Sequence, residues 1–212
     1  MAEKPSSDTL VLFVRHGRTP TTGEVLPGRT RGLHLSDVGR GQAKAVAARL
    51  AAALDIDAIY TSPLERCRET AEPLAQEVAL QATIDEGLIE CDFGDWTGAT
   101  LKTLGALPEW KLVQNTPSQF RFPNGESFLE MQARITDTVT RICIQHPGQT
   151  VVVFSHADPI KAAIATAMGT SLDMFQRFSV SPCSTSAVLY GASSPVVLTV
   201  NAIEDLGTLK PS

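Results

Sequence analysis

Residues 10–20, LVLFVRHGRTP, begin with five apolar side chains and then change abruptly to Arg15, His16 and Gly17. A short, continuous apolar run predicts a strand that is covered on both faces, as strands of parallel sheets are. The charged and titratable residues follow where such a strand ends. The stretch therefore predicts a buried strand with a polar site at its carboxyl end.

Strand and helix signals alternate along the rest of the chain. Further apolar strands are predicted at residues 57–62 and 150–155, and two closing strands at about 185–192 and 195–203. Helical patterns lie between them, at residues 36–54, 62–78, 124–145 and 156–169. This alternation predicts an α/β fold, a three-layer α/β/α sandwich with a mostly parallel central sheet.

Capping residues set the expected helix ends. Ser36 is placed to cap the first helix, and Ser62 is predicted as the N-cap of the second, with Pro63 at its first position. Pro73 should kink or end that second helix. Asp158 is the predicted N-cap of the last helix, followed by Pro159.

Composition excludes several classes of function. The chain has 18 basic and 23 acidic side chains, a net charge of −5, so its surface as a whole does not favour nucleic acids or anionic membranes. No segment is apolar over the roughly 18 residues that a membrane span needs. The N-terminal MAEKPSSD does not resemble a secretory signal, and the four cysteines are widely spaced. We expect a single domain over residues 1–212, reduced thiols and a cytoplasmic location.

Three strand ends carry related side chains. Arg15 and His16 follow the first strand, Arg66 begins the helix after the second, and His156 follows the third. Ligands of open α/β sheets bind outside the carboxyl ends of the strands, beside helix N-termini. Arginines and helix N-termini together suit phosphate, and a neutral imidazole is a nucleophile toward phosphorus. The constellation predicts phosphoryl chemistry.

These residues resemble the histidine phosphatase superfamily, also called phosphoglycerate mutase-like. The motif RHG after an apolar strand is its signature, and SPLERCRETA, LIECDFGDWTG and FSHADPIKA resemble its other blocks. The similarity runs in order from about residue 10 to residue 186, and is closest to small phosphatases or probable phosphomutases. It implies a phosphoglycerate mutase-like fold, no cofactor and no metal.

The resemblance implies roles at the matching positions. His16 would be phosphorylated, while Arg15, Arg66 and His156 would hold the phosphoryl group. Glu90 would act as general acid and base, although the nearby acidic residues Glu86, Asp92 and Asp95 leave that assignment open.

Further contacts to the phosphate are expected from the loop after the nucleophile and from the helix after His156. They are Gly17, Thr22, Gly23 and Ala157. Thr22 stands where many relatives have asparagine, and Ala157 where they usually have glycine. Arg18, Arg29 and Arg31 either contact substrate or are solvated, and the sequence does not decide between the two.

Hydrolysis of a small phosphorylated metabolite is the predicted activity, without metal. A mutase is the first alternative, but such relatives carry ERHYG where this chain has ECDFG. A non-catalytic phosphate-binding module is the second. Residues 98–125 form an irregular excursion that should cap the site, with Lys102, Lys111 and Arg121 as candidate contacts. The oligomeric state stays open, a homodimer being one alternative.

Overall fold

The side chains of the first strand alternate between two hydrophobic cores. Val11 and Phe13 pack in one core, whereas Leu10 and Leu12 pack in the other. Successive side chains of a strand point to opposite faces of a sheet, so a strand buried in this way needs helices on both sides. The apolar run at residues 10–14 reflects this double burial.

The computed structural model describes residues 8–203. The N-terminal residues on which the expectation about a secretory signal rests lie, except for Asp8, outside this range. The described strands form one six-stranded sheet in the order β3-β2-β4-β1-β5-β6. They are β1 (Thr9–Arg15), β2 (Ala58–Thr61), β3 (Ala82–Ile84), β4 (Thr150–Ser155), β5 (Thr185–Tyr190) and β6 (Val196–Ala202).

Neighbouring strands from β3 to β1 are parallel, while β5 and β6 run antiparallel at one edge. The helices are α1 (Asp37–Ala53), α2 (Glu65–Glu77), α3 (Leu101–Gly105), α4 (Trp110–Asn115), α5 (Phe128–Gln145) and α6 (Ala157–Ala167). Apolar residues of α1 and α2 fill the core on one face, and those of α5 and α6 fill the core on the other. The predicted three-layer α/β/α sandwich with a mostly parallel sheet is confirmed.

The first and third predicted strands are hydrogen-bonded neighbours in the sheet. Arg15 at the end of β1 is in register with Ser155 at the end of β4. The backbone N–H of His16 extends the ladder by donating to the carbonyl of Ser155 at 3.0 Å. His16 and His156 therefore follow adjacent strands at one edge of the sheet.

The second helix differs from its prediction at both ends. It begins at Glu65 with Leu64 as N-cap, so Ser62 does not cap it. The Ser62 hydroxyl instead lies against His156. Pro73 does not end the helix, because α2 continues to Glu77 and buries Leu74 beyond the proline; a kink at Pro73 stays a prediction.

The helices that flank β4 begin elsewhere than predicted. The helix expected from residue 124 begins at Phe128, where Ser127 and Glu130 form a reciprocal capping box. The last helix has His156 rather than Asp158 as its N-cap, which places Asp158 and Pro159 in the first turn. Ser36 caps α1 as predicted, accepting from the backbone of Gly39.

The excursion contains more helix than the sequence indicates. It includes α3, α4 and a short 3₁₀ helix at Pro117–Gln119. Another 3₁₀ helix, Leu172–Arg177, lies outside the excursion and packs beside α6 and α4. Within residues 8–203, none of the helices is both long and apolar enough to traverse a lipid bilayer.

Candidate active site

A cavity of about 300 Å³ opens at the carboxyl edge of the sheet, where β1 ends. Six of the predicted site residues line it, namely Arg15, His16, Thr22, Gly23, Glu90 and Ala157. Gly17, Arg66 and His156 are buried and are not among its lining residues. Six of the nine predicted residues thus line the cavity, and three do not.

His16 is held in one tautomer by its own backbone. Its Nδ1 lies 2.8 Å from the carbonyl oxygen of Gly17. A carbonyl can only accept, so Nδ1 donates, and Nε2 of the neutral ring carries the lone pair. The side chain is 5% exposed, which keeps water away from most of the ring. A neutral imidazole with a free Nε2 is the form that attacks phosphorus.

His156 contacts His16, Glu90 and two residues that the sequence analysis did not assign to the site. Its ring centroid is 5.3 Å from that of His16, in an edge-to-face arrangement. Its Nδ1 lies 3.8 Å from Oε2 of Glu90, and its Nε2 lies 2.8 Å from Oγ of Ser62. The Sγ atom of Cys67 lies 3.5 Å from the same Nε2.

Burial and two arginines keep both imidazoles neutral. The pKa of His16 is lowered well below its usual value, first by burial and then by the charges of Arg66 and Arg15. The pKa of His156 is lowered well below its usual value by burial, by Arg66 and by His16. Neutral histidines at physiological pH follow from these shifts.

The pKa of Glu90 is shifted in the opposite direction. Burial, followed by the negative charge of Asp158, raises its pKa to about 7, although Arg66 and Arg15 lower it. A carboxyl group with a pKa near the working pH can both give and take a proton. Among the acidic residues of that segment, Glu90 is the one that lines the cavity, whereas Glu86, Asp92 and Asp95 do not.

Two arginines hold the segment that carries Glu90. Arg29 donates to the carbonyl of Glu90 at 2.8 Å, and Arg134 donates to the carbonyl of Ile89 at 2.8 Å. Both arginines also bind the carboxylate of Glu126. Arg29 thus orders the site from outside the cavity, and Arg18 and Arg31 are exposed and do not line it.

The two predicted phosphate-binding arginines are each anchored to backbone. Arg15 donates to the carbonyl of Val180 at 2.7 Å, and Arg66 donates to the carbonyl of Gly28 at 2.7 Å. Over residues 8–203, the buried Nε of each finds no hydrogen-bond partner. Unpaired buried N–H groups are costly, so each has a hydrogen bond to gain from an anion.

The loop after the nucleophile is shaped by small residues. Thr22 accepts from the backbone of Thr19 at 2.8 Å, and Gly23 has a φ of +88°, which favours glycine. A Cβ atom at Gly17 would lie 2.7 Å from the carbonyl oxygen of Gly39, so this glycine is needed for close packing against α1. A contact of Gly17 with a ligand stays a prediction.

The excursion contributes one wall of the cavity. Leu101, Trp110, Val113 and Gln114 line it together with Phe122. Trp96 and Phe93 are buried, and Trp96 stacks on Trp110 with ring centroids 6.2 Å apart. Phe93 also lines the cavity.

The cationic residues of the excursion do not face this cavity. Lys102, Lys111 and Arg121 are exposed and absent from its lining. Arg121 instead binds Glu130 and the carbonyl of Gly125. Besides Arg15, the cavity is lined by the cation of Lys161 on α6, which the sequence analysis did not select. Its position four residues beyond Ala157, about one helical turn, was the available signal.

No group of three or more His, Cys, Asp or Glu side chains within residues 8–203 is arranged to hold a metal ion. The four cysteines are free thiols. Burial raises the pKa of Cys67 to about 12, so this thiol beside His156 is not a nucleophile at neutral pH.

Comparison with known families gives one match over nearly the whole described chain. Residues 11–203 match the model of the histidine phosphatase superfamily (branch 1). The chain belongs to this superfamily. This histidine phosphatase is 32% identical over 190 residues to the bifunctional protein Rv2228c of Mycobacterium tuberculosis, covering 88% of the chain and 52% of that relative. The chain thus spans about half the length of that protein.

Two similar proteins match along most of their length. This histidine phosphatase is 31% identical over 202 residues to phosphoserine phosphatase 1 of Hydrogenobacter thermophilus, covering 93% of the chain and 94% of that protein. A crystal structure of a phosphoserine phosphatase mutant from Entamoeba histolytica in complex with phosphoserine superposes with a TM-score of 0.83 at 26% identity. It covers 93% of this chain and 99% of that one. The superposition agrees with the predicted family fold.

Proposed function

We propose that this histidine phosphatase hydrolyses phosphomonoesters through a phosphohistidine on His16. One observation carries the proposal: two neutral, buried imidazoles lie 5.3 Å apart beside a carboxyl group whose pKa is about 7. Phosphoryl transfer needs an in-line nucleophile, charge stabilisation and a proton for the leaving oxygen. His16, the arginines and Glu90 would supply these in turn.

In the first step, Nε2 of His16 attacks phosphorus and the bond from phosphorus to the ester oxygen breaks. Protonated Glu90 gives its proton to the leaving oxygen, so an alcohol departs. In the second step, water attacks the phosphohistidine while the Glu90 carboxylate takes a proton from it. The bond from phosphorus to Nε2 breaks, phosphate leaves, and both residues return to their starting forms.

The phosphoryl oxygens would be held by Arg15, Arg66 and His156. Both arginines have an Nε that is unpaired within the described residues, as noted above. The first turn of α6, beginning at Ala157, presents further backbone N–H groups at the same edge. Thr22 and Gly23 also line the cavity. Donors aimed at the transferring group stabilise its charge in the transition state.

Small phosphorylated metabolites are the proposed substrates. The relatives named above as phosphoserine phosphatases support hydrolysis of small molecules rather than of proteins. A cavity of about 300 Å³ suits a ligand of that size. We assign residues 98–125 the role of a cap that contacts the leaving group, within a single domain. Four free thiols support a cytoplasmic location.

The test is hydrolysis of an aryl phosphate by the purified protein in the presence of a chelator. We expect phosphate release by the wild type and its loss in His16→Ala. An acid-labile phosphoenzyme should accumulate in the wild type and not in that variant. His34→Ala is the matched control, because His34 is exposed and pairs with Glu69 away from the cavity.

Two results would overturn the proposal. The first is phosphoenzyme formation that leads only to transfer of the phosphoryl group back to the product, which would indicate a mutase. The second is binding of phosphate esters without turnover of any ester in a broad panel, which would indicate a binding module.

A further inference from the structure

Three of the polar cavity side chains that the proposed mechanism leaves unused lie near one another. Asp158 and Lys161 project from α6, and Gln176 belongs to the adjacent 3₁₀ helix; all three line the cavity. Most of the wall around them is apolar, formed by Val25, Leu26, Phe93, Leu101, Trp110, Val113, Phe122 and Phe128. In a mostly apolar pocket, the few polar groups determine how a ligand is oriented.

The ammonium group of Lys161 can donate further hydrogen bonds to a ligand. Its Nζ donates to Oε1 of Gln176 at 2.9 Å and lies 5.9 Å from the ring centroid of Phe175. The nearest carboxylate oxygen, Oδ1 of Asp158, is 3.9 Å away, beyond hydrogen-bonding distance. An ammonium has three N–H groups, and Gln176 takes one of them. With the side chain only 14% exposed, an anionic ligand group would be a favourable acceptor.

Asp158 places a negative charge on the same wall. Its side chain is 18% exposed, and its charge is felt at the reaction centre, where it raises the pKa of Glu90. This carboxylate would repel a leaving group that carries only negative charge. It would attract one that also carries a cation. A leaving group with charges of only one sign is thus attracted by one of these two residues and repelled by the other.

We propose that Asp158 and Lys161 select phosphomonoesters whose leaving group carries an ammonium and a carboxylate on one carbon, as an O-phosphorylated amino acid does. This inference rests on the hydrolytic function proposed above. The substrate carboxylate accepts from Lys161, and the substrate ammonium donates to Asp158. Because Nζ and Oδ1 are 3.9 Å apart on one helix turn, a small zwitterion can contact both. Gln176 keeps Lys161 directed along this wall.

The experiment compares kcat/KM for four alkyl phosphates that differ in charge. O-phosphoserine carries both groups, O-phosphoethanolamine only the ammonium, 3-phosphooxypropanoate only the carboxylate, and propyl phosphate neither. The wild type should prefer O-phosphoserine to each of the others by roughly 10-fold or more, since hydrogen bonds to charged groups are worth one to two factors of ten.

Each variant should erase one preference. In Lys161→Met, the ratio of O-phosphoserine to O-phosphoethanolamine should fall by roughly 10-fold to 100-fold. In Asp158→Asn, the ratio of O-phosphoserine to 3-phosphooxypropanoate should fall by a similar factor. Ratios within one variant cancel any common effect on Glu90 or on folding. Lys44→Met on α1 and Asp137→Asn on α5 remove the same charges from exposed positions and should leave both ratios unchanged.

Equal kcat/KM for the four esters in the wild type would overturn this inference while leaving the hydrolytic function intact. So would variants that slow all four esters by the same factor. Failure to hydrolyse any of them, and an aryl phosphate as well, would instead contradict the proposed function, and the inference would fall with it.

Discussion

The hydroxyl of Ser62 lies 2.8 Å from Nε2 of His156, and both side chains are completely buried. Ser62 Oγ also accepts weakly from the backbone of Leu64 at 3.4 Å, so its own proton is available to Nε2. A serine hydroxyl can donate to Nε2 or accept from it, and in either case the contact fixes the orientation of the ring. Ser62 is therefore a positioning residue for His156.

Replacing Ser62 by alanine should lower kcat/KM by roughly 10-fold or more, because the ring loses the contact that fixes its orientation. The folded state should lose about 1–3 kcal/mol, the cost of an unsatisfied buried group. Steady-state kinetics and denaturant unfolding measure the two effects. Ser127→Ala, which removes the cap of α5, should lower stability by about 1 kcal/mol without lowering kcat/KM. Equal kinetic losses in both variants would contradict the positioning role.

The pH dependence of hydrolysis should follow Glu90. The first step needs protonated Glu90 and neutral His16. As pH rises through about 7, Glu90 loses its proton and kcat/KM for an alkyl phosphate should fall. As pH falls, the lowered pKa of His16 keeps the ring neutral, so the acid limb should lie below the usual histidine range. In Glu90→Gln the alkaline limb should vanish, with rates about 10²–10⁴ lower. If an alkaline limb near pH 7 persisted in Glu90→Gln, a group other than Glu90 would be responsible for it.

Asp158→Asn should move the alkaline limb without removing it. The charge of Asp158 raises the pKa of Glu90, second only to burial, whereas Arg66 and Arg15 act in the opposite direction. Removing that charge lowers the pKa, so kcat/KM should begin to fall at a lower pH than in the wild type. The pH profile with propyl phosphate, which carries no ammonium, isolates this effect from substrate binding. An unmoved limb would show that Asp158 does not act on Glu90.

The two glycines at the start of α1 should respond oppositely to alanine. A Cβ at Gly39 would collide with the carbonyl oxygen of Arg18 in the loop after the nucleophile, whereas a Cβ at Gly41 meets nothing within 4 Å. Gly39→Ala should lower stability by about 1–3 kcal/mol and reduce kcat, because that loop must shift. Gly41→Ala should raise stability by about 0.5–1 kcal/mol with kcat unchanged. Thermal unfolding together with kinetics distinguishes the pair, and similar effects in both would refute the packing argument.

The strand ends were accessible from sequence because their determinants are local. An apolar run of five residues followed by Arg15 and His16 predicts both a strand and its polar end, and the same reasoning places His156 beside them. Ser36 caps its helix because its partner is only three residues away. These features depend on the side-chain pattern within one turn or one strand.

The support for those residues was not accessible, because it comes from distant parts of the chain. Ser62 was predicted to cap a helix, yet its hydroxyl contacts a ring 94 residues away. Arg66 reaches the carbonyl of Gly28, and Arg134 reaches the backbone beside Glu90. Such hydrogen bonds depend on how elements pack, and nothing in the local pattern distinguishes Arg134 from a solvated arginine.

The two histidines inherit their spacing from the backbone ladder of β1 and β4, since neighbouring strands of any sheet lie about 4.8 Å apart. The positions of the groups proposed to surround the leaving alcohol do not depend on this ladder. Residues 98–125 form no strand of the sheet, and Lys161 projects from a helix. Of the residues proposed to contact the leaving group, those of the excursion can be exchanged without changing the ladder, whereas Asp158 also acts on Glu90. Grafting a different excursion onto the same sheet should therefore change the substrate preference only in part, while the spacing of the two histidines is carried over unchanged.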